Sequence, residues 1–224
     1  MQFDHNQAAS GLLESPRVVP CARPGNDRLA RFVADFSRLL DDTSQEPRIR
    51  REGSRLLAAL VAQDDWLAPA FCVAGTDAHR QYLLHGDPRQ RFSVVCVVWG
   101  PGQGTPIHDH TVWGLIGMLR GAEHSQPYRF ISRGRLVPVG AAVRLDPGQV
   151  EEVSPSIGDI HRVDNAFDDR TSISIHVYGA DIGRIERSTV TEAGERVPFV
   201  SGYSTLPSLP RPPASPPPPL PATP

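Results

Sequence analysis

WGPGQGTPIHDHTVWGLIGMLRG, residues 99–121, is the stretch on which the fold turns. An apolar run ending in Phe92, Val94, Val95, Val97 and Val98 feeds into it. A Gly/Pro-rich corner then leads to His108-Asp109-His110. A second apolar run (Val112, Trp113, Leu115, Ile116, Met118, Leu119) stops at Gly121. On extended backbone successive side chains alternate sides, so two histidines one residue apart on a strand project from one face. Two imidazoles on one face suit iron, copper, nickel or zinc. The expectation is a metal site inside a small barrel.

The chain has 224 residues, enough for one domain with a sizeable core. Its net charge of -2 gives no reason to expect nucleic acid or an anionic membrane as partner. All 23 basic residues are arginine, which leaves many guanidiniums to pair with carboxylates. The N-terminal residues lack a basic start followed by an apolar run, and no apolar stretch reaches membrane-spanning length. Cys21, Cys72 and Cys96 are odd in number and widely spaced, forming neither a disulfide framework nor a zinc pair. A reducing cytoplasm is the expected setting.

Residues 1–26 are mixed and Pro-containing, an expected arm. Leu29, Phe32, Val33, Phe36, Leu39 and Leu40 recur at helical spacing, which predicts an amphipathic helix from Asp27 to Leu40, started by Asn26 or Asp27. A break containing Pro47 separates it from a second predicted helix, about Arg48 to Asp64, with Leu56, Leu57, Leu60 and Val61 inward. Gln81 to His85 reads as a strand ending at the turn Gly86-Asp87-Pro88. From Phe92 onward strand-length apolar runs alternate with turns and no helical pattern intervenes, as in a sandwich or barrel over about 80–200. The domain is expected over 27–203. Residues 204–224 form a tail, and its last 20 residues hold ten of the 23 prolines, a composition that cannot pair into a sheet.

Gly102, His108, His110, Gly114 and Gly121 resemble the first cupin motif, with Gly114 standing where that motif normally carries Glu. Gly158, His161 and Asn165 match the core of the second. The resemblance implies a mostly β, double-stranded β-helix (jelly-roll) barrel behind N-terminal α-helices. Farther on, alternation in Ser174-Ile175-His176-Val177-Tyr178 puts Ser174, His176 and Tyr178 on one face, where each can hydrogen-bond to the next. The competing readings are an exposed edge strand, or His176 as a further ligand.

HDHTVWGLIGMLRG, GDIHRVDN and SISIHVYG together resemble the cysteine dioxygenase superfamily of cupin thiol dioxygenases, over roughly residues 27–200. The resemblance implies that His108, His110 and His161 hold one mononuclear non-haem Fe(II). It implies that Ser174, His176 and Tyr178 form a relay whose Tyr hydroxyl faces the substrate. A small thiol-carboxylate and O2 would then yield a sulfinic acid.

Two departures bear on the substrate. Mammalian-type cysteine dioxygenases carry a carboxylate-binding Arg in a Tyr-x-Arg segment, where this chain reads His79-Arg80-Gln81. They also carry a Cys cross-linked to the relay Tyr, where this chain has Gly114. Both differences resemble the bacterial 3-mercaptopropionate dioxygenase branch, in which an Arg nine residues after the relay Tyr is implicated in carboxylate recognition. That position is Arg187, with Arg184 close enough to be confused with it. Arg187 and Gln81 are therefore the expected substrate-binding residues, with 3-mercaptopropionate leading over cysteine and mercaptosuccinate. A non-thiol three-His cupin dioxygenase and a non-catalytic metal- or ligand-binding cupin are the other readings. Cys96 is expected as a buried small hydrophobe, Asp109 as a support for the turn, Trp113 as core, and Glu123-His124 in solvent.

Overall fold

The computed structural model describes residues 27–191 and 193–206. The expected N-terminal arm and the Pro-rich segment from 207 onward lie outside the described residues. Helix α1 spans Arg28–Asp42 and α2 spans Glu46–Val61. Asp27 stands at the first cap, but its side chain makes no capping bond. Pro47 does not break the chain as expected. It sits in the first turn of α2, where its missing N–H would have had no helical partner in any case.

The strands are β1 (Arg80–Gly86), β2 (Ser93–Trp99), β3 (Gly114–Arg120), β4 (Glu123–Ser132), β5 (Arg135–Pro138), β6 (Val143–Leu145), β7 (Val150–Val153), β8 (Ile160–Asn165), β9 (Ser172–Tyr178), β10 (Arg187–Val190) and β11 (Arg196–Phe199). One antiparallel sheet has the order β1-β2-β9-β3-β7. Facing it, β4 pairs with β5 and β6 along one side and with β8 along the other, while β10 and β11 form a ribbon. The two sheets enclose the barrel, and the chain is the mostly β cupin fold with two N-terminal helices.

Alternation along the central strands sorts their side chains between two compartments. Val94, Cys96 and Val98 of β2, Leu115 and Leu119 of β3, and Ile173, Ile175 and Val177 of β9 face outward. They pack with Phe32, Phe36, Leu57, Leu60 and Val61 of the helices into the main core. At about 1.5–3 kcal/mol for each fully buried side chain of this size, this layer holds the helices to the sheet. The opposite faces of the same strands carry Val95, Val97, Trp99, Ile116, Met118, Ser174, His176 and Tyr178, all buried. Being covered on both sides is why β2 reads as an unbroken apolar run. Cys96 and Trp113 take their expected places in or against the core.

Three boundaries differ from expectation. His108 and His110 lie not in a continuous strand but in an extended segment held by single bridges. His108 pairs with His161 of β8 on one side and Thr189 of β10 on the other. That segment therefore joins β8 to the β10–β11 ribbon, and the alternation of its side chains survives. Glu123 is not in solvent: Gly121, at φ +75, reverses the chain so tightly that β4 begins at Glu123 and turns its side chain inward, fully buried. Ser204, expected in the tail, is tied to β1, where its N–H donates to the Gln81 carbonyl at 2.7 Å and its hydroxyl accepts from the Gln81 N–H at 3.0 Å. Among the described residues no helix is long and apolar enough to cross a membrane.

Candidate metal centre and substrate cavity

His108 and His110 come from the bridged segment and His161 from β8, and the three rings form a nearly equilateral triangle with centroids 4.9 Å apart in every pair. One ring nitrogen from each lies within 4.8 Å of the others. All three are buried.

The remaining nitrogens settle which atoms face inward. His108 Nδ1 is 3.0 Å from the Pro106 carbonyl. His110 Nδ1 is 3.1 Å from the Asp159 carboxylate and 3.2 Å from the Asp159 carbonyl. His161 Nδ1 is 3.1 Å from Ser125 Oγ, whose own hydrogen goes to Glu151 at 2.9 Å. Each Nδ1–H thus donates to an oxygen, leaving every Nε2 lone pair for a common ligand. His110 Nε2 is fully buried and has no partner, a polar atom stranded unless an ion meets it. Burial, reinforced by the His110 ring, pushes His108 down to about 3 and holds His161 well below the ordinary value. Neutral imidazoles are the form a metal takes. The residues present fit one mononuclear divalent ion.

Asp159 was not singled out in the sequence, although it lies two residues before His161. It also accepts from the N–H groups of His110, at 3.1 Å, and Thr111, at 2.9 Å. Thr111 sits at φ +61, a strained place for a β-branched residue, and this clamp holds it there. Burial would raise the Asp159 carboxyl, but the His110 ring and these N–H donors bring it below the ordinary value. Asp109 supports the turn as expected, accepting from the Ser188 N–H at 2.8 Å and pairing with Arg196. A carboxylate therefore does approach the triad, one hydrogen bond removed from His110.

Ser174, His176 and Tyr178 are on β9, a central strand rather than an exposed edge. Ser174 Oγ is 2.8 Å from His176 Nε2, and His176 Nδ1 is 2.8 Å from the Tyr178 hydroxyl. Both ring nitrogens of His176 are engaged, so it stands apart from the metal-facing triangle. The Tyr178 ring stacks on His110 at 5.5 Å, and burial raises its phenol well above the ordinary range.

A cavity of about 320 Å³ opens over these groups, with His108, His161, His176, Tyr178 and Arg187 in its wall. Arg187 is 5% exposed, has no ion-pair partner among the described residues, and leaves a buried Nε without any hydrogen-bond acceptor. Its guanidinium lies 4.7 Å over the Phe199 ring. Burial lowers its affinity for a proton, yet a guanidinium stays charged. Arg184 is elsewhere, exposed and paired with Asp181 at 3.3 Å. Gln81 reaches the cavity wall, but its amide nitrogen donates to Ser201 at 3.1 Å and the Gly202 carbonyl at 2.9 Å. It braces the C-terminal segment that closes the cavity.

A family model described as cysteine dioxygenase type I matches residues 73–188. Cysteine dioxygenase type 1 of Danio rerio is 32% identical over 93 residues, covering 39% of this chain and 45% of that protein. The Rattus norvegicus protein of the same name is 26% identical over 151 residues, covering 66% of this chain and 74% of its own. The chain thus spans less than half the length of the zebrafish relative in that match. Among solved structures, a double-stranded β-helix protein from Klebsiella pneumoniae aligns at 14% identity and a TM-score of 0.40, over 51% of this chain and 89% of its own.

Proposed function

The chain belongs to the cysteine dioxygenase type I family, and from that premise we propose that it is an Fe(II)-dependent dioxygenase that converts 3-mercaptopropionate and O2 to the sulfinic acid. The observation that carries this reading is the three-histidine cluster set beside one cavity, whose wall holds His108, His161, Tyr178 and an unpaired buried Arg187.

His108, His110 and His161 would hold the iron, which supplies the open positions and electrons through which a thiolate and O2 react. Three neutral imidazoles leave the dication uncompensated and favour an anionic thiolate beside it. Arg187 holds the substrate carboxylate through paired N–H donors in a site that excludes water. Tyr178 presents its hydroxyl to the bound substrate, and His176 and Ser174 fix the direction of that hydroxyl. Among the described residues the cavity wall includes no Asp or Glu to receive the ammonium of cysteine, and Arg187 is its sole guanidinium. A monocarboxylate without an amine suits such a wall better than cysteine or the dicarboxylate mercaptosuccinate. A reducing, cytoplasmic setting keeps both thiol and ferrous ion in their reactive states.

The test is anaerobic loading with Fe(II), followed by O2 uptake with 3-mercaptopropionate, L-cysteine and mercaptosuccinate side by side. Uptake with sulfinate formation, strongest for 3-mercaptopropionate, is expected. Uptake with none of the three overturns the thiol reading, and preference for L-cysteine overturns the substrate assignment.

A further inference from the structure

Behind the Ser174–His176–Tyr178 chain lies a buried acid that the proposed chemistry does not use. Glu123 is 0% exposed, and neither of its carboxyl oxygens makes a well-formed hydrogen bond, although the Ser174 hydroxyl and the Trp99 indole lie beside them. The groups around it are the Ser174 hydroxyl of β9, the Trp99 indole of β2, and Glu151 of β7, itself a half-buried carboxyl. Asn165, opposite Glu123 on β8, turns its amide nitrogen to the carbonyls of Gly100 and Arg170. No cation is among these groups. Burial above all, and the neighbouring Glu151, push the Glu123 carboxyl up to about 8 against the pull of Ser174 and Trp99.

Hydrogen counting shows what such a group decides. Trp99 Nε1 can only donate, and it does so to Ser174 Oγ at 3.0 Å. Ser174 has one hydrogen to give. His176, held well below its ordinary value by burial, is a neutral imidazole with one N–H. The chain can therefore run in two directions, and the choice is made at Ser174.

We propose that Glu123 is the positioning residue that sets the direction of this chain. As a carboxylic acid it leaves the serine hydrogen for His176 Nε2. The imidazole proton then sits on Nδ1 and points at the Tyr178 oxygen, and the Tyr178 O–H is free for the cavity. As a carboxylate Glu123 takes the serine hydrogen. His176 then donates through Nε2, Nδ1 accepts from Tyr178, and the hydroxyl hydrogen turns away from the substrate. The inference deepens the proposed function, since it rests on Tyr178 as the donor to substrate.

The test reads the His176 tautomer by nitrogen-15 NMR in the full chain loaded with zinc(II), a redox-silent ion, and needs no turnover. The wild type is expected to carry the proton on Nδ1 at neutral pH and to move it to Nε2 as pH rises through about 8. Glu123→Gln, which cannot ionise, is expected to hold one tautomer throughout. The infrared C=O band of a protonated carboxyl should be present at neutral pH in the wild type and absent in the variant. In iron-loaded enzyme oxidising 3-mercaptopropionate, kcat should fall about tenfold per pH unit above about 8 in the wild type, a limb missing in Glu123→Gln. A His176 tautomer that stays constant with pH in the wild type overturns the proposal, whether or not the variant folds. So does a switch that is the same in Glu123→Gln. A tautomer switch confined to the wild type supports the proposal even if no thiol is oxidised, so its fate is separable from that of the proposed activity.

Discussion

Gly114 faces Tyr178 across the β3–β9 pair, and a Cβ added at Gly114 would lie 2.9 Å from Tyr178 Cδ1 and 2.9 Å from Val153 Cγ2. The Tyr178 ring, pressed between that bare backbone and the His110 imidazole, has its position fixed from both sides. The glycine is thus a packing requirement of the ring rather than a gap. Gly114→Ala should displace Tyr178 or Val153 and destabilise the chain by about 1–3 kcal/mol, the usual effect of overpacking. Thermal unfolding measures it, and an unchanged melting temperature would show that the strands part without cost.

The hydrogen bonds behind the three histidines make a graded prediction. His161→Ala removes a proposed ligand and should abolish stoichiometric iron binding. Asp159→Ala leaves all three ligands but frees the His110 ring to turn, so iron affinity should fall about 10–100-fold. Competition with a chromophoric chelator separates the two. Equal affinity in Asp159→Ala and wild type would mean that packing alone orients His110.

Arg187 sits buried and unpaired, so its worth should appear only when an anion arrives. Arg187→Ala should raise the KM for 3-mercaptopropionate about 10–100-fold, the loss of one or two charge-assisted hydrogen bonds. Iron content should stay as in the wild type. Arg184→Ala, at an exposed ion pair, is the control and should leave KM in place. Reversed behaviour of the two variants would move the carboxylate anchor to the surface arginine.

Glu123 makes stability fall with pH. Its carboxyl titrates at about 8 in the folded chain against an ordinary 4.5, so between those values the native state holds a proton that the unfolded chain has released. The stabilisation is fully present below the lower value and is lost as pH rises through the upper one. The loss is at most roughly 5 kcal/mol. Melting temperatures from about pH 5 to about pH 9 should fall more steeply in the wild type than in Glu123→Gln. Parallel curves would place the loss in other groups.

What the sequence by itself determined was everything that period and spacing report. Alternation on extended backbone put His108 with His110, and Ser174 with His176 and Tyr178, on common faces before any strand pairing was known. Helical spacing in Phe32, Phe36 and Leu57 marked the faces that pack on the sheet. Such patterns are local, because backbone geometry alone fixes the side to which a residue points.

What only the tertiary structure decided was which residues that side meets. Asp159 reaches His110 across 49 positions of sequence, and Ser125 reaches His161 across 36. Arg187 became the buried guanidinium and Arg184 the solvated one because β10 is bridged to the histidine segment through Thr189, whereas Arg184 lies before that strand. Glu123, read as solvated beyond a strand end, entered the barrel because the turn at Gly121 gives β4 a register with Glu123 opposite Asn165. Register is set by pairing between distant strands, and one residue of slip would have turned the same carboxyl to water.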